Sequence, residues 1–189
     1  MTQPSRRAFL GASLVAGGAL LLPGLARAAV HPAGTPVSRR LQLFNTHTAE
    51  TLDVTYFEDG VYHPQALAEI DFILRDHRAN QAAPMDRGLI DLVHDIARAV
   101  DSRGPVHIIS GYRSPATNEM LRKTGGGGVA TRSLHMDGIA MDIRIPGREL
   151  AAVRDAAWSM QRGGVGFYPR EQFVHVDTGR VRRWGWTTA

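Results

Sequence analysis

The sequence predicts an α+β fold, in which helices pack on a small, mostly antiparallel sheet. Three observations carry this: period-two segments occur in both halves of the chain, helical stripes lie between them, and turn residues separate the two kinds. Arg40-Leu41-Gln42-Leu43-Phe44 and Leu52-Asp53-Val54-Thr55-Tyr56-Phe57 both alternate, so they are expected to pair as strands, with Glu58-Asp59-Gly60 as a turn. Pro64 suits a first helical turn, and Leu67, Ile70, Ile73 and Leu74 then share one stripe. Asp86 is placed to cap a second helix whose inner face is Leu89, Ile90, Val93, Ile96, Ala97 and Val100. A strand is expected over 106–110, a short helix from Ser114-Pro115 to about Lys123, and a flexible loop at the glycine run 125–128. Further strands are expected near 139–145, 165–168 and 172–177, with a helix over about 148–160 between the first two.

The N-terminus predicts export. Ser5-Arg6-Arg7-Ala8-Phe9-Leu10 has the form of a twin-arginine signal, an apolar run follows over 14–25, and Ala26-Arg27-Ala28 is a small-x-small cleavage site. The run falls short of the ~20 apolar residues that span a bilayer, and Pro23 and Gly24 interrupt it, so no stable membrane span is expected after removal. Residues 1–28 are therefore read as a signal peptide, 29–189 as one domain, and the periplasm as the destination. Removing Arg6, Arg7 and Arg27 takes the formal charge from +4 to +1, Lys123 is the sole lysine, and no arginine block alternates with aromatics. Nucleic acid is an unsuitable partner for such a surface. With no cysteine, any metal site must be built from nitrogen and oxygen. Nothing in the sequence sets an oligomeric state.

Two imidazoles and a carboxylate stand out: His135 in Ser133-Leu134-His135-Met136-Asp137-Gly138, Asp142 in Ile139-Ala140-Met141-Asp142-Ile143, and His175 in Phe173-Val174-His175-Val176-Asp177. This is a ligand set for catalytic zinc, which keeps one position open for water. On neighbouring strands Asp142 and His175 would meet on one face, and Gly138 would let the preceding loop turn His135 back toward them. A buried Asp between Met141 and Ile143 needs a cation or strong donors. Each of the three alone is equally read as a structural residue.

The segments Ser110-Gly111-Tyr112-Arg113-Ser114, Ser133 through Asp142, Gly163-Gly164-Val165-Gly166-Phe167-Tyr168-Pro169 and Phe173-Val174-His175-Val176-Asp177-Thr178-Gly179 occur in that order, after Arg75-Asp76-His77-Arg78. This order resembles the murein endopeptidase K family, of the D-alanyl-D-alanine carboxypeptidase and hedgehog-type group of zinc peptidases. The resemblance implies a hedgehog/DD-peptidase-like fold, Zn2+ held by His135, Asp142 and His175, and Arg113 facing a substrate carbonyl or carboxylate. It also implies peptidoglycan stem peptides as substrate, with cross-links opened by a zinc-activated water. The general base is expected at Asp177, because the position where several relatives carry an acid is Gln172 here. Orienting His175 is the competing role for Asp177, Asp137 is a weaker candidate base, and Ser133 a donor behind the site. Two other functions stay open: a cell-wall binding module without hydrolysis, and a carboxypeptidase trimming terminal D-alanine. Trp184 and Trp186 are expected on a terminal strand, covering a sheet edge or lining the cleft.

Overall fold

The computed structural model describes residues 37–124 and 129–186; the expected signal peptide and the glycine run 125–128 lie outside them. In chain order the elements are β1 (Ser38–Asn45), β2 (Thr51–Glu58), β3 (Val61–Tyr62), α1 (Pro64–Ile73), α2 (Arg87–Ala99) and β4 (Val106–Ser110), then α3 (Pro115–Thr124), β5 (Ala140–Arg144), α4 (Leu150–Ser159), β6 (Gly164–Tyr168), β7 (Phe173–Asp177) and β8 (Arg182–Trp184). The strands form one sheet in the order β3-β2-β1-β4-β5-β7-β6-β8. Every neighbouring pair is antiparallel except β1 with β4 and β6 with β8. The α+β class is as expected, and at eight strands the sheet is larger than its alternating segments imply. The edge strand β3 accounts for the difference, since its two residues are too few for a period to register, while β8 is the expected terminal strand.

Local chemistry sets these elements. Asp59 and Gly60 both take positive φ, 48° and 87°, closing a two-residue hairpin in which Glu58 pairs Val61. Asp86 caps α2 by accepting from Gly88 N and Leu89 N, each at 3.2 Å. Leu89, Ile90, Val93 and Ile96 are fully buried and pack with Ile70 and Leu74 from the α1 region. From the strands, Leu41, Leu43, Val106, Ile108, Met141, Ile143, Val174 and Val176 complete the same core. Since side chains alternate along a strand, burying Met141, Ile143, Val174 and Val176 turns Asp142 and His175 to the opposite face. Trp186 falls beyond β8 and packs edge-on against Trp158 at 5.8 Å, so only Trp184 lies on the terminal strand. Among the described residues no helix is long and apolar enough to cross a membrane.

Candidate metal centre

Register brings the first two expected ligands together. Asp142 on β5 lies directly opposite His175 on β7, and Nδ1 of the imidazole stands 2.9 Å from Asp142 Oδ1. His135 arrives on a tight turn in which Met136 N donates to Ser133 O and Ile139 N to Leu134 O. Gly138 ends that turn at φ +69°, and a Cβ there would run into the Pro84 carbonyl, so glycine is needed on two counts. A carbonyl only accepts, so His135 Nδ1 must donate to Gly111 O, 2.8 Å away. That leaves the Nε2 lone pair facing Asp142 Oδ2 at 3.5 Å. One ligand atom from each residue lies within 4.8 Å of the others.

The electrostatics favour a cation. Burial opposes the charge on Asp142, but His135 and His175 outweigh it and hold the carboxyl well below its usual range. Burial also pushes the His175 imidazole down, yet Asp142 and Asp177 on its two nitrogens raise it overall. A divalent ion on the Nδ1 side would replace that proton. The donors are nitrogen and oxygen, the 3.5 Å separation matches the ~3.3–3.4 Å between tetrahedral ligand atoms at zinc bond lengths, and both rings are held from behind. The residues present therefore fit zinc.

Asp177 does not stand where a general base would. It is 0 % exposed. Oδ1 accepts from Gly164 N at 2.9 Å and Gly179 N at 2.8 Å, while Oδ2 faces His175 Nε2 and Arg182 Nη2, both at 3.2 Å. Burial works against its charge, but these donors hold the carboxyl below its usual value, and no lone pair is left for water. The Gly163-Gly164 pair belongs to the same arrangement, because a Cβ at either position would collide with Asp177. Asp137 is exposed and does not line the cleft, and Gln172 lies on another face with Arg144 and Phe167.

Arg113 sits at the cleft, with its backbone N donating to His135 O at 3.1 Å. Among the described residues its guanidinium reaches only Asn118 Oδ1 at 3.5 Å and Ser110 Oγ at 3.4 Å, and burial lowers its pKa. Behind it, Asp76 of the Arg75-Asp76-His77-Arg78 segment accepts from Ser114 N at 2.9 Å and Ser114 Oγ at 2.6 Å, fixing the loop that carries Arg113. Burial opposes the Asp76 charge, but the bonds from Ser114 and Thr117 bring its pKa down to about 2. A depressed native pKa stabilises above the unfolded value and is lost as pH falls through the native one. Asp76→Asn is therefore expected to cost about 2–3 kcal/mol above pH ~4, shrinking toward pH ~2, as read from urea midpoints across that range.

These groups line a cleft of about 600 Å³. The β5–β7 ligands form its floor. Arg113, Arg132, Ser133 and Leu134, from the segments after β4 and before β5, line one side; Tyr168, Glu171, Phe173 and Trp184, from β6 to β8, line the other, and Arg182 reaches toward Leu134 beside Gly179. Ser133 lines the cleft, and so does Trp184, which lies on the edge strand β8. Sequence reasoning missed Glu171, Tyr168, Arg132 and Arg182. No periodic signal marks Glu171: it lies on the turn before β7, where Gln172 takes a φ of 60° and breaks the strand alternation.

Comparison with known proteins identifies the family of the chain. The family model described as "Peptidoglycan L,D-endopeptidase MepK" matches residues 33–184. The chain is similar to the peptidoglycan L,D-endopeptidase MepK of Escherichia coli strain K12, 43% identical over 180 residues covering 95% of this chain and 97% of the relative. It is also similar to the probable peptidoglycan L,D-endopeptidase MepK of Haemophilus influenzae, 38% identical over 181 residues covering 95% of each. No solved structure matches. By the extent of these matches, the chain belongs to the MepK family of peptidases.

Proposed function

We propose that this protein is an exported zinc peptidase that hydrolyses amide bonds in the stem-peptide cross-links of peptidoglycan, acting in the periplasm after removal of residues 1–28. The observation that carries this reading is the facing pair Asp142 and His175, joined by His135 Nε2 at 3.5 Å on the floor of an open cleft. A carboxylate and two imidazoles from two adjacent antiparallel strands and the loop before them also support the hedgehog/DD-peptidase-like reading of the fold. Relatives named as L,D-endopeptidases favour cross-link cleavage over trimming of a terminal residue.

In this reading His135, Asp142 and His175 hold the ion, with Gly111 O and Asp177 fixing the two rings. When bound, zinc supplies Lewis acidity and lowers the pKa of water toward ~7. Arg113 presents its guanidinium to the oxygen that gains charge as the amide is attacked; with no carboxylate contact, its positive charge is not already neutralised. Glu171 is the one carboxylate lining the cleft besides Asp142, and it takes the base role expected of Asp177, passing the proton to the leaving amine. Asp177 is a positioning residue for His175. Tyr168, stacked on Phe173 at 4.4 Å and bonded through its hydroxyl to Trp184 Nε1, stiffens an aromatic wall beside the reacting bond.

Digestion of purified sacculi followed by chromatography of muropeptides tests the proposal. The expected result is loss of cross-linked dimers, abolished by a chelator and restored by added zinc. Sedimentation with sacculi that leaves every cross-link intact would make it a binding module. Release of free D-alanine without loss of dimers would make it a carboxypeptidase.

A further inference from the structure

Three arginines and two carboxylates line the cleft, and four of the five already have a task. Asp142 joins the ligand set, Arg182 pairs with Asp177, Arg113 faces the reacting bond and Glu171 stands on the opposite wall. Arg132 is left over. It is exposed at the mouth of the cleft, three residues before His135, and no carboxylate pairs with it among the described residues. Residues 1–36, 125–128 and 187–189 contain no Asp or Glu.

The placement of charge gives the cleft a direction. Among the described residues Arg113 and Arg132 have no carboxylate partner, the charge of Arg182 is paired with Asp177, and Glu171 lies across the ligand floor on the turn between β6 and β7. A bound peptide with a free carboxylate beside its scissile amide would be drawn to the Arg132 wall and kept off the Glu171 wall. A guanidinium suits this task because its planar fork matches both oxygens of a carboxylate.

Resting on the endopeptidase reading, we propose that Arg132 is a specificity-determining residue that binds a free carboxylate on the stem peptide next to the cleaved bond. The substrate class is then a cross-link whose residues keep that carboxylate unamidated. Amidation removes the charge and one acceptor at almost constant size, so it isolates this contact.

The experiment uses a matched pair of cross-linked muropeptides, carboxylate free or amidated, with kcat/KM measured for each. The parent protein is expected to favour the free acid by roughly tenfold or more, the scale of one charge-assisted hydrogen bond. Arg132→Gln brings the ratio near one, Arg132→Lys keeps part of it, and Arg98→Gln, on α2 outside the cleft, leaves it intact. Equal rates for the two peptides with the parent protein overturn the inference while leaving the endopeptidase reading in place. If neither peptide is cleaved, the endopeptidase reading fails, and calorimetric titration of uncross-linked stem peptides, free and amidated, still decides the inference. Tighter binding of the free acid, lost in Arg132→Gln, supports it; equal binding rejects it.

Discussion

Asp142→Asn is expected to lower hydrolysis of cross-linked muropeptides on the order of 10³-fold or more, with the chain still folded. The substitution keeps the shape of the side chain and removes its charge. Asp142 is the bridge of the site, with Oδ1 at 2.9 Å from His175 and Oδ2 at 3.5 Å from His135, so the two imidazoles lose their common anionic partner together. A neutral amide neither offsets the charge of a divalent ion nor draws it between the rings. Loss of the ion removes the activated water and the polarisation of the carbonyl at once, which is why a partial effect is not expected. Elemental analysis after dialysis should find zinc in the parent protein and little in the variant. Circular dichroism should be unchanged, because the core beneath is built by Met141, Ile143, Val174 and Val176. A variant that binds no zinc yet keeps a tenth of the parent activity would refute the assignment of the ligands.

Much of this centre was legible in the sequence, for a definite physical reason. Period-two alternation places residues on faces, so Asp142 and His175 followed from the apolar residues on either side of them, and their direct pairing needed only adjacent strands. Gly138 could be read because a positive φ has few alternative residues. Asp86 was legible as a cap, and Pro64 as a helix start, for similarly local reasons. What sequence could not supply was the environment behind each side chain. Asp177 shares the parity of His175, and parity alone reads it as facing the cleft. Its withdrawal depends on Gly164 and Gly179 turning their N–H groups toward it, and on Arg182 arriving from β8. The role of Asp76 was hidden for the same reason: its bonds to Ser114 join segments 38 residues apart.

Glu171→Gln and Asp177→Asn should then fail in different ways. Removing the proton acceptor at Glu171 is expected to lower kcat by about 10²–10⁴-fold, the usual contribution of a general base, with zinc retained and KM little changed. Asp177→Asn acts through His175. It breaks the acceptor that holds the ring at 3.2 Å and leaves Arg182 without its carboxylate, so zinc affinity and activity should fall together by ~10–100-fold. Added zinc should recover part of the lost activity in Asp177→Asn and none in Glu171→Gln. The reverse pattern, with a zinc-independent loss of kcat in Asp177→Asn and a modest zinc-responsive loss in Glu171→Gln, would return the base role to Asp177. It would also require the buried carboxylate to shed at least one of its four donors during turnover. The hydrogen bonds from Gly164 and Gly179 oppose that release, because both come from backbone N–H groups in the turns that enclose Asp177.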